Sequence, residues 1–99
     1  MTTSVAVLDD AFVVDMDGAR AKLIFAVEDG QLVLLHTEVP EQFQGRGVGG
    51  RLVTAAVEKA RAEGLTIIPW CPYARKWLKE HPDQVSDVKI DFLTPPPSA

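Results

Sequence analysis

The chain has 99 residues, one cysteine and a formal net charge of −4 at pH 7. This length suits one domain with one hydrophobic core, and a single cysteine excludes an internal disulfide. The negative charge argues against a nucleic-acid-binding protein, and no apolar run approaches the roughly 20 residues of a membrane span. The N-terminal segment also lacks the basic start and long apolar stretch of a signal peptide. We therefore expect a soluble, cytoplasmic protein without nucleic-acid or membrane partners.

The first half of the chain predicts an antiparallel meander of three strands. The segment AFVVDMD at 11–17 predicts a short strand that ends in a turn at Asp17 and Gly18. The segment AKLIFAVE at 21–28 predicts a second strand, and QLVLLHTEV at 31–39 predicts a third. Between them lies an Asp-Gly pair, which is a strong hairpin signal when it separates two apolar strands.

The second half predicts helices that alternate with strands. Apolar residues recur at helical spacing from Val48 to Glu63, and Gly64 stands where a left-handed C-cap residue belongs. LTIIP at 65–69 predicts a buried strand, and PYARKWLKEH at 72–81 predicts a second helix that stops before the next proline. VKIDF at 88–92 alternates and predicts a last strand.

The predicted order is therefore β-β-β-α-β-α-β, an α/β (α+β) fold with a mixed, mostly antiparallel sheet. We expect a single domain over residues 1–93 and a disordered tail, TPPPSA, over 94–99.

Charge is distributed unevenly along the chain. Residues 1–45 carry eight acidic and two basic side chains, whereas residues 46–80 carry seven basic and three acidic ones. A solvated helix surface explains this pattern, and so does a positive lobe that faces a small anionic ligand.

Four glycines occur in QGRGVGGRLV, residues 44–53, at the predicted start of the main helix. Glycine inside a helix costs roughly 1 kcal/mol relative to alanine, so their presence suggests that something approaches this backbone closely. A helix N-terminus with exposed N–H groups is a typical phosphate site. A Walker loop is excluded because no Gly-Lys-Ser/Thr follows. Gly45, Gly47 and Gly50 fit the dinucleotide fingerprint, but the preceding strand belongs to a hairpin and no acid ends the next strand.

The same segment resembles the acetyl-CoA pyrophosphate loop of the GCN5-related N-acetyltransferases, with Gln44, Gly47 and Gly49 at the signature positions. The chain is further similar to a group of very small single-domain members of that family. These carry a cysteine after the strand that follows the main helix, then an aromatic residue and an alanine. The resemblance implies a minimal GCN5-related fold that binds acetyl-CoA or CoA and transfers an acetyl group to the amine of a protein, peptide or small molecule. The alternative is a module that binds CoA without turnover.

The resemblance also implies a set of cofactor-binding residues. Backbone N–H groups of the glycine loop would bind the two phosphates, the main chain around Val39 would pair with the pantetheine arm, and the segment from Cys71 to Trp77 would line the far wall. The basic members of the set are assigned to the outer phosphates from their charge. The full set is Val39, Gln44, Gly45, Arg46, Gly47, Val48, Gly49, Gly50, Arg51, Tyr73, Ala74 and Lys76.

Three residues are candidates for catalysis. His36 and Glu38 alternate onto one face of the predicted strand at 31–39, and either could take a proton from the amine, directly or through water. A backbone N–H near Val39 could stabilise an oxyanion. In the family, a tyrosine in the second helix often protonates the leaving sulfur and lies seven residues after an asparagine. Here Leu78 and Cys71 occupy those two positions.

Cys71 precedes a proline at a helix start, where backbone N–H groups favour a thiolate. Three roles remain open for it: a nucleophile that holds the acetyl group, an acid that protonates the departing sulfur, or a buried packing residue. Two histidines and one cysteine, far apart in sequence, predict no metal site.

Overall fold

A five-stranded sheet and two helices form the protein in the computed structural model, which describes residues 5–16, 18–43, 45 and 47–94. The strands are β1 (Ala6–Val7), β2 (Ala11–Met16), β3 (Ala19–Glu28), β4 (Gln31–Glu38) and β5 (Thr66–Pro69), and the helices are α1 (Val48–Glu63) and α2 (Pro72–Glu80). Short 3-10 turns lie at Glu41–Phe43 and Pro82–Gln84.

The strands lie in the sheet in chain order, from β1 at one edge to β5 at the other. The first four pair antiparallel, and β5 pairs parallel to β4 after the crossover through α1. In the ranges that the structure describes, no helix is long and apolar enough to cross a membrane.

The predicted α+β class and the mostly antiparallel sheet are confirmed, but the list of strands differs at both ends. The two-residue strand β1 was not predicted. The predicted last strand at 88–92 is wrong, because the segment forms only a single parallel bridge between Ile90 and Ile67. Its contact with β5 cannot extend far, since β5 has four residues and ends at a proline. The order is therefore β-β-β-β-α-β-α. Asp17 and residues 95–99 lie outside the described part of the chain, so the turn at Asp17 and the disordered tail stay predictions.

The hairpin between β3 and β4 follows the local sequence. Asp29 and Gly30 both have positive φ angles, 48° and 76°, as a type I′ turn requires. The helix α1 begins and ends at the predicted residues, and Gly64 has the left-handed φ of 67° expected of its C-cap. One face of α1 packs against the sheet, and its buried residues recur at helical spacing: Val48, Gly49, Leu52, Val53, Ala56, Val57 and Ala60.

A β-bulge in β4 decides which side chains face the helices. Phe25 of β3 pairs with Leu34, whereas Ile24 pairs with His36, so Leu35 is an additional residue in β4. Strict alternation from the buried Leu34 would turn residues 36 and 38 toward the helices. The additional residue reverses this, so Thr37 pairs with the buried Leu23 and faces α1.

β4 and the chain that follows β5 diverge after one shared point. The ladder between the two strands ends with the pair Leu34–Pro69, and Pro69 has no N–H group to donate. The N–H of Cys71 then donates to the carbonyl oxygen of Leu34 at 2.9 Å. Beyond this bond β4 runs on to Glu38, while the other chain turns into α2. The two segments form a fork with its vertex at Leu34 and Cys71.

Candidate functional site

A cleft of about 250 Å³ opens in this fork, between the end of β4, the glycine loop and the first turn of α2. The residues that line it are Thr37, Val39, Phe43, Gly45, Gly47, Val48, Gly49 and Tyr73. Sequence elements that are far apart in the chain therefore meet around one concave space.

Gly45 and Gly47 serve the backbone conformation of the loop. Their φ angles are 78° and 72°, in the left-handed region that favours glycine, and a Cβ on either would meet no atom within 4 Å. Gly47 is the N-cap of α1 and offers no side-chain cap. The first N–H groups of a helix have no acceptor within the helix, and the positive end of its dipole lies there. The start of α1 is thus suited to an anion.

Gly49 and Gly50 have a packing purpose that the sequence did not suggest. A Cβ on Gly49 would lie 2.6 Å from Cζ of Tyr73, and a Cβ on Gly50 would lie 2.9 Å from Nε1 of Trp77. Both glycines let the aromatic side chains of α2 pack directly against the backbone of α1. The groups that approach the backbone closely at these two positions are therefore aromatic side chains of the protein itself.

Thr37 links β4 to α2 through a hydrogen bond with Cys71, one of the two residues at the vertex of the fork. Its Oγ1 atom lies 3.0 Å from Sγ of Cys71, and either group can donate the hydrogen bond. Thr37 lines the cleft, whereas Cys71 is 3% exposed and belongs to the hydrophobic core. Cys71 is the N-cap of α2 but makes no side-chain cap. The hydroxyl of Thr37 therefore lies between the thiol of Cys71 and the cleft.

His36 and Glu38 share one face of β4, as predicted, but it is the face opposite to Thr37. A carboxylate oxygen of Glu38 lies 3.8 Å from Nε2 of His36 and 3.5 Å from Nζ of Lys22. Both side chains are mostly exposed, at 62% for His36 and 51% for Glu38. The two candidate bases thus form a solvated polar row on the outer face of the sheet.

The basic residues at 46–80 are largely engaged elsewhere. Lys59 pairs with Glu63 at 2.6 Å, Arg61 pairs with Asp87 at 2.6 Å, and Arg75 donates to a backbone carbonyl at 2.8 Å. This distribution favours a solvated helix surface for most of the segment. Of the basic residues assigned to the outer phosphates, Arg51 and Lys76 are exposed, and Arg46 lies outside the described residues.

Tyr73 forms the wall of the cleft on the side of α2. Partial burial, followed by the proximity of Cys71 and Glu80, raises the pKa of its phenol above the ordinary value. The side chain is 44% exposed. Like an ordinary tyrosine at neutral pH, Tyr73 presents a phenol hydroxyl that can donate a hydrogen bond.

The structure brings six of the twelve predicted cofactor-binding residues together around the cleft. Gly45, Gly47, Val48, Gly49, Tyr73 and Val39 all line the cleft. Gly50 faces Trp77, and Ala74 is fully buried in the core, so neither lines it. Gln44 lies outside the described residues, and its role stays a prediction.

Sequence reasoning missed two residues that line the cleft, Thr37 and Phe43. Phe43 was recognisable as the one aromatic residue in the polar segment between β4 and α1, and it is buried. Thr37 carried no such signal, because simple alternation along the strand places it on the wrong face.

Comparison with known proteins agrees with this geometry. A family model described as GCN5-related N-acetyl-transferase matches residues 11–88. The chain belongs to the GCN5-related N-acetyltransferase family. Among its relatives in this family, Protein NATD1 of Gallus gallus is 36% identical over 74 residues, which cover 72% of this chain and 67% of that protein. Protein NATD1 of Homo sapiens is also 36% identical over 74 residues, with 72% and 66% covered.

The chain thus spans about two thirds of the length of these relatives. A solved structure of the same fold is the solution NMR structure of a GCN5-like candidate N-acetyltransferase from Staphylococcus aureus. It is 29% identical, has a TM-score of 0.71, and the match covers 93% of this chain and 91% of that one. Family membership and this likeness support acetyl transfer as the general activity.

Proposed function

We propose that this protein binds acetyl-CoA in the cleft of the fork and transfers the acetyl group to an amine. The observation that carries the proposal is the convergence, around one cleft, of the glycine-rich start of α1 and the diverging edge of β4. The start of α1 suits a diphosphate, and the edge of β4 suits an extended chain that carries amide groups.

The diphosphate would lie at the N-terminus of α1. The backbone N–H groups of Val48 and Gly49 belong to the first turn and have no acceptor within the helix. Together with the helix dipole they favour a bound phosphate group. The positive φ angles of Gly45 and Gly47 shape the loop that leads to this turn.

The pantetheine arm would lie along β4 beyond Leu34. The ladder with β5 ends there, and the strand continues to Glu38. An extended chain with amide groups can add to such an edge as a further strand would. Bound acetyl-CoA supplies an acetyl group activated as a thioester.

An acceptor amine that approaches β4 from its outer face meets Glu38 and His36. The carboxylate of Glu38, held between His36 and Lys22, can accept a proton from the amine directly or through a water molecule. The acceptor class, which includes proteins, peptides and small amines, is open to a substrate screen.

A second candidate is a module that binds CoA without turnover. It is favoured by the burial of Leu78, which occupies the position of the family's usual tyrosine and is 1% exposed. The exposed setting of His36 and Glu38 favours it too. The two candidates differ in one measurable property, the release of free CoA in the presence of an amine.

Calorimetric titration with CoA tests binding, and a pair of matched glycine variants locates the site. Gly47→Ala and Gly30→Ala each place a side chain at a φ near 70–76°, with nothing within 4 Å of the new Cβ. Both should lose about 1 kcal/mol of stability from backbone strain. Only Gly47→Ala, at the cleft, should weaken CoA binding.

Equal CoA affinity in the two variants would refute this location, and absence of CoA binding by the wild-type protein would refute the proposal. Chromatographic detection of free CoA, with a panel of lysine peptides and small amines, then separates the enzyme from the binding module. Binding without release of CoA by any amine would favour the module.

A further inference from the structure

Thr37 lines the cleft and its hydroxyl contacts the buried thiol of Cys71. This arrangement suggests which group protonates the leaving sulfur in place of the tyrosine that is usual in the family. We propose that Thr37 is a catalytic residue: its hydroxyl gives a proton to the sulfur that leaves the thioester, and the Cys71 thiol restores it. This inference rests on the proposed function, because it concerns the same cleft. It assigns Cys71 a positioning and proton-supplying role that requires no direct contact with the ligand.

The geometry supports a two-member hydrogen-bond chain. Thr37 Oγ1 lies 3.0 Å from Cys71 Sγ, and of the two residues only Thr37 lines the cleft. A hydroxyl donates one hydrogen bond and accepts others, whereas a thiol is both a weak donor and a weak acceptor, so the hydroxyl oxygen is the better acceptor of the pair. The favoured arrangement has the thiol donating to the Thr37 oxygen, which leaves the Thr37 proton to point into the cleft.

The main chain holds this pair in place from both sides. The N–H of Cys71 donates to the carbonyl oxygen of Leu34 at 2.9 Å, so the start of α2 is tied to β4 just before the bulge. The bulge itself turns Thr37 toward Cys71 and away from the outer face. The hydroxyl and the thiol are thus brought together by two independent features of the backbone.

The proton transfers balance. As the carbon–sulfur bond of the thioester breaks, the Thr37 O–H bond breaks and an S–H bond forms on the departing CoA. The Cys71 S–H bond breaks in turn, and the O–H bond of Thr37 is formed again. The proton that the amine loses passes to solvent, and solvent in the cleft returns one proton to Cys71 through the hydroxyl of Thr37. The net transfer runs from one alkyl thiol to another alkyl thiolate, so the group that loses the proton and the group that gains it are of the same type.

The first test is spectroscopic and needs no ligand. Because the chain has one cysteine, the S–H stretching band in the Raman spectrum reports on Cys71 alone. Thr37→Val keeps the shape of the side chain and removes the hydroxyl, so the band should shift toward that of a thiol without an acceptor. Thr37→Ser should keep the wild-type band. Thr54→Val is the matched control, since it removes a part-buried hydroxyl that donates to the backbone carbonyl of Gly50 in α1.

The second test is kinetic. Thr37→Val should lower kcat by about 100-fold, at the low end of the range for loss of a general acid, and change the calorimetric affinity for CoA by no more than about twofold. Thr37→Ser should restore turnover. Cys71→Ala serves as a second route if the valine variant does not fold. It should lower kcat by a similar factor, and the double variant should lose no more than either single one.

The outcomes separate this inference from the proposed function. An S–H band that is unchanged in Thr37→Val overturns the hydrogen-bond chain. Wild-type turnover together with full turnover in Thr37→Val overturns the catalytic role and leaves the proposed function standing. Absence of CoA binding by the wild-type protein overturns both, although the Raman result still decides whether the hydrogen bond exists.

Discussion

Replacing Gly49 with alanine should displace the ring of Tyr73 from α1 and thereby change the free energy of unfolding. In an isolated helix, this substitution should raise the free energy of unfolding by about 1 kcal/mol, because glycine is a poor helix former. In this protein the added methyl group would lie 2.6 Å from Cζ of Tyr73. No side chain tolerates that distance, so the phenol ring must move away from α1.

The cost of moving the ring follows from its burial. Tyr73 is 44% exposed, so full displacement returns about 100 Å² to water, given the 150–250 Å² that an aromatic side chain buries. At about 25 cal/mol per Å², this loss is about 2.5 kcal/mol. After subtraction of the helix gain, Gly49→Ala should destabilise the protein by about 1.5 kcal/mol, which corresponds to a decrease in Tm of roughly 6–12 °C for a domain of this size.

A double-mutant cycle in urea, followed by tryptophan fluorescence, tests this account. In a Tyr73→Ala background the obstacle is gone, so Gly49→Ala should become stabilising by up to about 1 kcal/mol. The sign of the effect should therefore reverse between the two backgrounds. If Gly49→Ala destabilises both backgrounds by the same amount, the contact with Tyr73 is not the reason for glycine at this position.

Three further predictions concern other parts of the molecule. Hydrogen bonds from the Arg61 guanidinium lower the pKa of Asp87 below its ordinary value of 3.8. Asp87→Asn should therefore lower stability in urea at neutral pH, and the difference should vanish as the pH falls through that lowered pKa; a difference that grows in acid would contradict the pairing. Burial, the largest cause, raises the pKa of Tyr73, so phenolate absorbance of this single tyrosine should appear at higher pH in the folded protein than in urea. The stability contribution of Tyr73 should accordingly be lost as the pH rises through its folded pKa, and coincident titrations in the two states would refute the assignment. Gly50→Ala places a Cβ 2.9 Å from Nε1 of Trp77. The overpacking should be partly offset by the better helix propensity of alanine, so we expect the free energy of unfolding to fall by about 1 kcal/mol. The tryptophan emission maximum should also change. An unchanged emission maximum would show that the indole does not contact α1.

Local sequence patterns were sufficient for the elements whose signals lie within a few residues of one another. The bounds of α1 and the left-handed Gly64 follow from helical periodicity and a C-cap signal. The hairpin at Asp29 and Gly30 follows from one dipeptide. The glycine-rich loop before α1 was recognisable for the same reason, because its four glycines lie within one segment of six residues.

Features that depend on pairing between distant residues were not predictable in this way. Nothing in the segment 88–92 indicates that β5, the strand to which it forms a bridge, ends at Pro69. Its clean alternation therefore predicted a strand that does not form. The glycines at 49 and 50 suggested a ligand, because the sequence does not show that Tyr73 and Trp77 pack against them from another helix.

The sequence by itself determined where the helices and most strands lie and where the glycine-rich start of α1 is, because these properties depend on residues close together in the chain. The tertiary structure alone decided which side chains meet in the cleft. One additional residue, Leu35, reverses the two faces at the end of β4, so Thr37 meets Cys71 while His36 and Glu38 face outward. A bulge of this kind arises from the register between two strands, and register is a property of the pair that neither strand carries alone.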